Sequence, residues 1–174
     1  MHGARPGGVA RIAHVLAQRH HEPPTMNTNP RVLIVDDEEV VRRCHLRVLA
    51  SDHCEVKAVP DGTQALETMQ AEPFDIVLLD LRMPGMDGMA VLRQIRSRWP
   101  DCEVIVITGY PSLDTAKEAI RLGARDYLAK PLEPATVIRA AASAIEHKQW
   151  TLHRDFPPPR AFAGHGVQQA IYAN

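Results

Sequence analysis

Three cysteines, Cys44, Cys54 and Cys102, are too few, too widely spaced and odd in number for a disulfide framework or a zinc site. They sit in periodic apolar segments and are expected as buried, reduced thiols. Excess charge of either sign is also missing: 20 Lys and Arg face 21 Asp and Glu, a formal −1, which argues against a strongly basic nucleic-acid binder. No apolar run approaches the roughly 20 residues that span a bilayer, and the N-terminus has no apolar block of a secretory signal. There is no internal repeat. At 174 residues and 45% hydrophobic, the chain is expected to form one soluble, cytoplasmic domain with some chain to spare.

The spare chain falls at the two ends. Residues 1 to 30 mix Gly, Pro, Arg and His, and "HHEPPTMNTNP" cannot hold a regular element, because its prolines remove donors and restrict their neighbours. A disordered leader is expected there. Its one helical stripe, Val9, Ile12, Ala13 and Leu16, is too short to be stable alone, and His20 and His21 lack a third metal ligand. Met26 is a candidate natural start, since the first strand follows almost at once. At the other end "DFPPPR" stops the last helix, and residues 149 to 174 read as a helix extension and a Pro-rich tail.

Between the ends, strand-like and helix-like segments alternate five times. Val32 to Val35, Ile76 to Leu79 and Val104 to Ile107 are continuous apolar runs, the pattern of strands buried on both faces of a parallel sheet. "CEVKAV" (54 to 59) alternates and "DYLA" (126 to 129) is short, so both are expected at edges. The prediction is an α/β, doubly wound, five-stranded parallel sheet in the order 2-1-3-4-5. The intervening helices carry apolar faces: Val41, Cys44, Val48 and Leu49 in the first, Ala65, Leu66 and Met69 in the second, Leu92 and Ile95 in the third. Asp87 and Ser112 are expected to cap the third and fourth, Gly123 to end the fourth, and Pro134 to open a fifth that runs through Ile138, Ala141, Ile145 and Leu152.

"LLDLRMPGMDG" ends an apolar strand on Asp80. In a doubly wound sheet the functional crevice lies beyond the carboxyl ends of the strands. There the first strand delivers Asp36 and Asp37, the third Asp80, the fourth Thr108 and the fifth Lys130. Each has an ordinary explanation alone, as a helix-start acid, a strand threonine or a solvated loop lysine. Their arrival at one edge does not. Two carboxylates about 4 Å apart repel by roughly 4 kcal/mol at an effective dielectric near 20. Three carboxylates and one lysine leave a deficit that a divalent cation neutralises, and hard oxygen ligands suit Mg²⁺.

"VLIVDDEE", "DIVLLDLRMPGMDG", "VIVITGY" and "GARDYLAKPL" together resemble the receiver domain of two-component response regulators, over roughly residues 31 to 148. The resemblance implies a flavodoxin-like receiver fold in which Asp80 accepts a phosphoryl group from a sensor histidine kinase or a phosphotransfer protein. It implies that Asp37 ligates Mg²⁺ directly, Asp36 largely through water, and the backbone carbonyl of Arg82 as a further ligand beside Asp80. Lys130 would pair with the carboxylate and then the phosphoryl group, and Thr108 and the Gly109 amide would follow that group. Tyr127 would turn inward and carry the switch to a distal surface that contacts a downstream protein. Arg82 and Tyr110 fall at variable positions with an influence on dephosphorylation, and Lys130-Pro131 matches the family's cis peptide. Met83, Met86 and Met89 read as packing.

On this reading the chain modifies itself and is not a turnover enzyme on an external metabolite. Residues 149 to 174 offer no room for an output domain, which favours a stand-alone receiver without direct nucleic-acid binding; the runner-up is a receiver fragment of a longer transcriptional regulator. A Mg²⁺-dependent aspartyl phosphohydrolase would carry Asp-x-Asp after its first strand, where this chain has adjacent Asp36 and Asp37. A flavodoxin-like cofactor binder would need a phosphate-cradling loop, where this chain has the acidic "DDEEVV".

Overall fold

The computed structural model describes residues 29 to 50 and 54 to 152. The strands are β1 (Arg31–Val35), β2 (Glu55–Val59), β3 (Ile76–Asp80), β4 (Glu103–Thr108) and β5 (Asp126–Ala129). The helices are α1 (Glu39–Leu49), α2 (Gly62–Ala71), α3 (Gly88–Arg98), α4 (Leu113–Arg121) and α5 (Pro134–Leu152). All strand pairs are parallel, in the order β2-β1-β3-β4-β5. The expected fold class and strand order are both borne out. The stripe at Val9 to Leu16, the His20-His21 pair, Met26 and the tail beyond Leu152 lie outside the described residues. Pro30, from the expected leader, already takes part in the sheet, its carbonyl accepting the Glu55 amide at 3.0 Å.

Strand periodicity divides the core in two. Leu33, Val35, Val77, Leu79, Val104 and Val106 face α2, α3 and α4, meeting Leu66, Met69, Leu92, Ile95 and Ala119. Val32, Ile34, Ile76, Leu78, Ile105 and Ile107 face α1 and α5, meeting Leu49, Ile138, Ala141 and Ile145. The central strands are therefore buried on both faces, as their continuous apolar runs predict. Met83 and Met89 are buried in the first cluster and Met86 packs against it.

Two local expectations change. Cys44 is exposed, while Cys54 and Cys102 are buried as expected. Burial pushes the Cys54 thiol up to about 11 and the Cys102 thiol to about 12, so both are unreactive. The inward face of α1 runs through His45 and Leu49, one turn apart, and leaves Cys44 outside; a count of apolar residues alone passes over a histidine that fills the inward position. Asp87 precedes α3, yet its side chain makes no cap; its carbonyl accepts Ala90 and Val91 instead. Ser112 caps α4 as expected, accepting the Thr115 amide at 3.1 Å, and Gly123 follows its end at φ +94°.

The amino ends of the strands are closed by paired charges. The Arg31 guanidinium reaches Glu55 at 3.0 Å, the Pro73 carbonyl at 2.9 Å and Glu72, and lies 5.3 Å from the centroid of the Phe74 ring. Asp75 accepts the Arg31 amide at 2.7 Å and the Lys148 ammonium at 2.6 Å, and His147 contacts Glu103 at 2.7 Å. The far half of α5 is thereby tied to the sheet.

At the opposite end Gly88 allows α3 to start against the tip of β3. Its amide donates to the Leu81 carbonyl at 3.2 Å, and a Cβ there would lie 2.4 Å from the Asp80 carbonyl oxygen and 2.6 Å from the Leu81 Cα. Backbone cannot rotate aside as a side chain can. Gly88→Ala should therefore cost about 1–3 kcal/mol by forcing a backbone shift and should move the amide resonances of Asp80 and Leu81. Equilibrium denaturation with backbone NMR checks both.

Candidate functional site

The register carries the carboxylates to one place. Val35 is level with Leu79, and Leu79 with Val106, so Asp36 and Asp80 come next on neighbouring strands. Thr108, level with Ala129, closes β4 on the other side, and its carbonyl accepts the Lys130 amide at 2.8 Å. Asp36, Asp80 and Thr108 are all buried, at 2%, 4% and 1% exposure, while Asp37 is exposed. Single oxygens of Asp36, Asp37 and Asp80 lie within 4.8 Å of one another, a three-carboxylate set able to hold a metal ion.

Lys130 reaches this cluster from the end of β5. Its Nζ lies 2.6 Å from Asp80 Oδ2, 2.8 Å from Asp36 Oδ2 and 3.6 Å from Glu38 Oε1. Its peptide bond to Pro131 is cis, as expected. Burial works against the ammonium, but the hydrogen bonds and charges of Asp36 and Asp80 outweigh it and hold Lys130 well above the ordinary lysine range. At Asp36 the balance reverses. Burial, with the Asp80 charge adding to it, raises the Asp36 carboxyl despite the Lys130 ammonium and the Glu38 amide, which donates to Asp36 Oδ1 at 2.9 Å. A single ammonium thus does not fully offset the burial of the Asp36 carboxyl.

The other expected residues surround this cluster. The Arg82 amide donates to Asp80 Oδ1 at 2.9 Å, fixing the rotamer of that carboxylate. The Arg82 guanidinium lies 5.5 Å from the centroid of the exposed Tyr110 ring. Thr108 Oγ1 accepts the Tyr110 amide at 3.2 Å, and a Cβ on Gly109 would find open space. Tyr127 is already inward, 4% exposed, with its hydroxyl 2.7 Å from Thr115 Oγ1 and 3.4 Å from the Ser112 amide. Two neighbours escape a reading of the sequence. Glu38 sits close to Lys130, and Arg42 reaches back from α1 to donate to the carbonyls of Asp36 and Asp37 at 2.7 and 2.8 Å. No periodicity signals a side chain that folds back on a loop carbonyl.

A sequence model of the response regulator receiver domain matches residues 32–142. The chain belongs to this receiver domain family. It is 38% identical over 118 residues to the DNA-binding transcriptional regulator NtrC of Escherichia coli K12, covering 68% of this chain and 25% of that one. It is 35% identical over 127 residues to the alginate biosynthesis transcriptional regulatory protein AlgB of Pseudomonas aeruginosa, covering 73% of this chain and 28% of that one. The receiver thus spans about a quarter of the length of these curated relatives. A CheY-like receiver domain protein from Methanospirillum hungatei superposes with a TM-score of 0.69 at 25% identity, covering 71% of this chain and 99% of that one. NtrX from Brucella abortus gives 0.67 at 30% identity, over 71% of this chain and 29% of that one. Among the described residues no helix is long and apolar enough to cross a membrane.

The electrostatics of the receiver pocket predict a pH dependence. Because the folded Asp36 carboxyl titrates above its unfolded value, folding takes up a proton between the two, and stability falls as pH rises through that window. Asp36→Asn should therefore be more stable than wild type at pH 7 in metal-free buffer, by roughly 0.5–2 kcal/mol. The gap should narrow as pH falls and wild-type Asp36 protonates. Urea denaturation of both proteins across pH 4 to 7 measures it.

Proposed function

We propose that this receiver takes a phosphoryl group onto Asp80 from a sensor histidine kinase or a phosphotransfer protein, and that the modification alters its distal surface. The observation that carries this reading is the Lys130 ammonium, 2.6 Å from a buried strand-tip carboxylate that is gathered with two more. In the transfer an Asp80 oxygen forms the new bond to phosphorus as the donor's bond breaks, and the donor keeps the electron pair. Such transition states are loose, so charge neutralisation and positioning supply most of the catalysis. Lys130 supplies a fixed cation, and the Arg82 amide holds Asp80 in place. Asp36, Asp37 and Asp80, with the Arg82 carbonyl, would hold Mg²⁺, which supplies the remaining positive charge when bound. The receiver thereby promotes its own modification in the cytoplasm and turns over no external metabolite.

Thr108 is the residue best placed to pass the event on. Its hydroxyl accepts the Tyr110 amide, so a hydroxyl drawn to a phosphoryl oxygen releases that amide and the loop leading to α4. Tyr127 holds the first turn of α4 through Thr115, so the change on its side is a loosening of that tie. One observation favours a second reading of the output. The relatives NtrC and AlgB are named as transcriptional regulators and the receiver spans about a quarter of each, which supports control of a longer regulator as the alternative to contact with a separate protein.

Two experiments test the proposal. Acetyl phosphate with Mg²⁺ should label the wild type in a hydroxylamine-labile form, and Asp80→Asn should carry no label; undiminished labelling of that variant moves the nucleophile elsewhere. Thr108→Ala should still accept the phosphoryl group. With beryllofluoride as a mimic, its amide shifts should stay near the acidic pocket, whereas wild-type shifts reach α4 and Tyr127. Equal distal shifts in the two proteins remove Thr108 from the relay.

A further inference from the structure

Asp36 and Asp37 differ in how their side chains are committed. Asp36 Oδ1 accepts the Glu38 amide and Oδ2 meets Lys130, while the Asp37 carboxylate has no hydrogen-bond or ion-pair partner among the described residues. What fixes Asp37 is its main chain. A single nitrogen of Arg42, Nη1, donates to the carbonyls of Asp36 and Asp37 at 2.7 and 2.8 Å, spending its two N–H bonds on consecutive peptide groups. Arg42 lies in the first turn of α1, and its own amide bonds the Glu38 carbonyl at 3.0 Å. The loop between β1 and α1 is thus held from both sides at the two residues that bear the acidic pair. A cation in this position runs against simple electrostatics: it faces the positive end of the α1 dipole and adds positive charge beside a pocket meant for a cation. Its benefit must be geometric.

We propose that Arg42 is a positioning residue that clamps the acidic loop and so raises the affinity of the pocket for a divalent cation. This rests on the reading of Asp36, Asp37 and Asp80 as the cation site. Two physical effects of removing Arg42 have opposite signs, which makes the claim decidable. Loss of a nearby positive charge alone would tighten binding of a divalent cation. Loss of the clamp lets the Asp37 carboxylate sample orientations away from the pocket and weakens it, as happens when groups that orient metal ligands are removed. Lysine keeps the charge but replaces a planar donor pair by a flexible ammonium, so it should restore only part of the effect.

The test uses the full chain as wild type, Arg42→Met and Arg42→Lys, with thermal melts to confirm folding. Mg²⁺ affinity is measured by calorimetry, and solvent exchange of the Glu38 amide by NMR in metal-free buffer. Arg42→Met should bind Mg²⁺ roughly tenfold more weakly, Arg42→Lys should fall between it and wild type, and the Glu38 amide should exchange faster in Arg42→Met. Equal or tighter Mg²⁺ binding by Arg42→Met overturns the proposal, because charge alone then governs the pocket. Failure of wild type to bind Mg²⁺ overturns the cation-site reading and the affinity claim with it. Unchanged Glu38 exchange in Arg42→Met overturns the clamp while leaving that reading standing.

Discussion

The contact on which the rest of the molecule depends is the bridge from Lys130 Nζ to Asp36 and Asp80, at 2.8 and 2.6 Å. It joins the last strand to the first and the third across the carboxyl edge of the sheet, between residues 94 and 50 positions apart in sequence. Two buried carboxylates about 4 Å apart cost roughly 4 kcal/mol at an effective dielectric near 20, and the ammonium makes that juxtaposition tolerable. The raised Asp36 carboxyl marks the part left uncompensated. A domain selected for stability alone would place an apolar residue there. The parallel order 2-1-3-4-5 is what permits the bridge, since it sets β3 beside β1 with β5 across β4, and parallel strands bring the carboxyl ends of β1, β3 and β5 to one edge.

The parts of the fold that could be read from sequence are those governed by periodicity. Continuous apolar runs identify β1, β3 and β4 as central because each must fill two faces of the core, and the polar alternation of β2 marks an edge. Asp36, Asp80, Thr108 and Lys130 are legible at the site because each ends a strand or directly follows one, and strand ends in this architecture converge by topology. Less legible are features set by individual side chains. His45 fills the inward position of α1 although composition suggests Cys44, and Asp87 starts α3 without capping it. Arg42 gives no signal at all, since its role lies in reaching back to main-chain oxygens.

Tyr127 shows a related limit. Its identity and place on an edge strand are plain in the sequence, but its orientation depends on Thr115 and Ser112 at the start of α4, where two short polar side chains supply partners for a buried phenol. The aromatic ring belongs to the core and the hydroxyl to the helix terminus. That division makes α4 sensitive to the loop that begins at Thr108, because the Thr108 hydroxyl and the Tyr127 hydroxyl hold amides only two residues apart, Tyr110 and Ser112.

The two ends of the sheet treat charge in opposite ways. Around Arg31, the acids Glu55, Glu72 and Asp75 are matched by Arg31, Lys57 and Lys148. At the other end the Lys130 ammonium answers Asp36 and Asp80, and the Asp37 carboxylate beside them has no ion-pair partner among the described residues. Dissolved salt therefore pulls on the molecule in two directions: screening weakens the partly exposed attractions at the amino end and relieves repulsion that reaches solvent at Asp37 and Glu38. One end loosens in the same brine that eases the other, so a single stability measured against ionic strength conceals two opposed responses of the same small sheet.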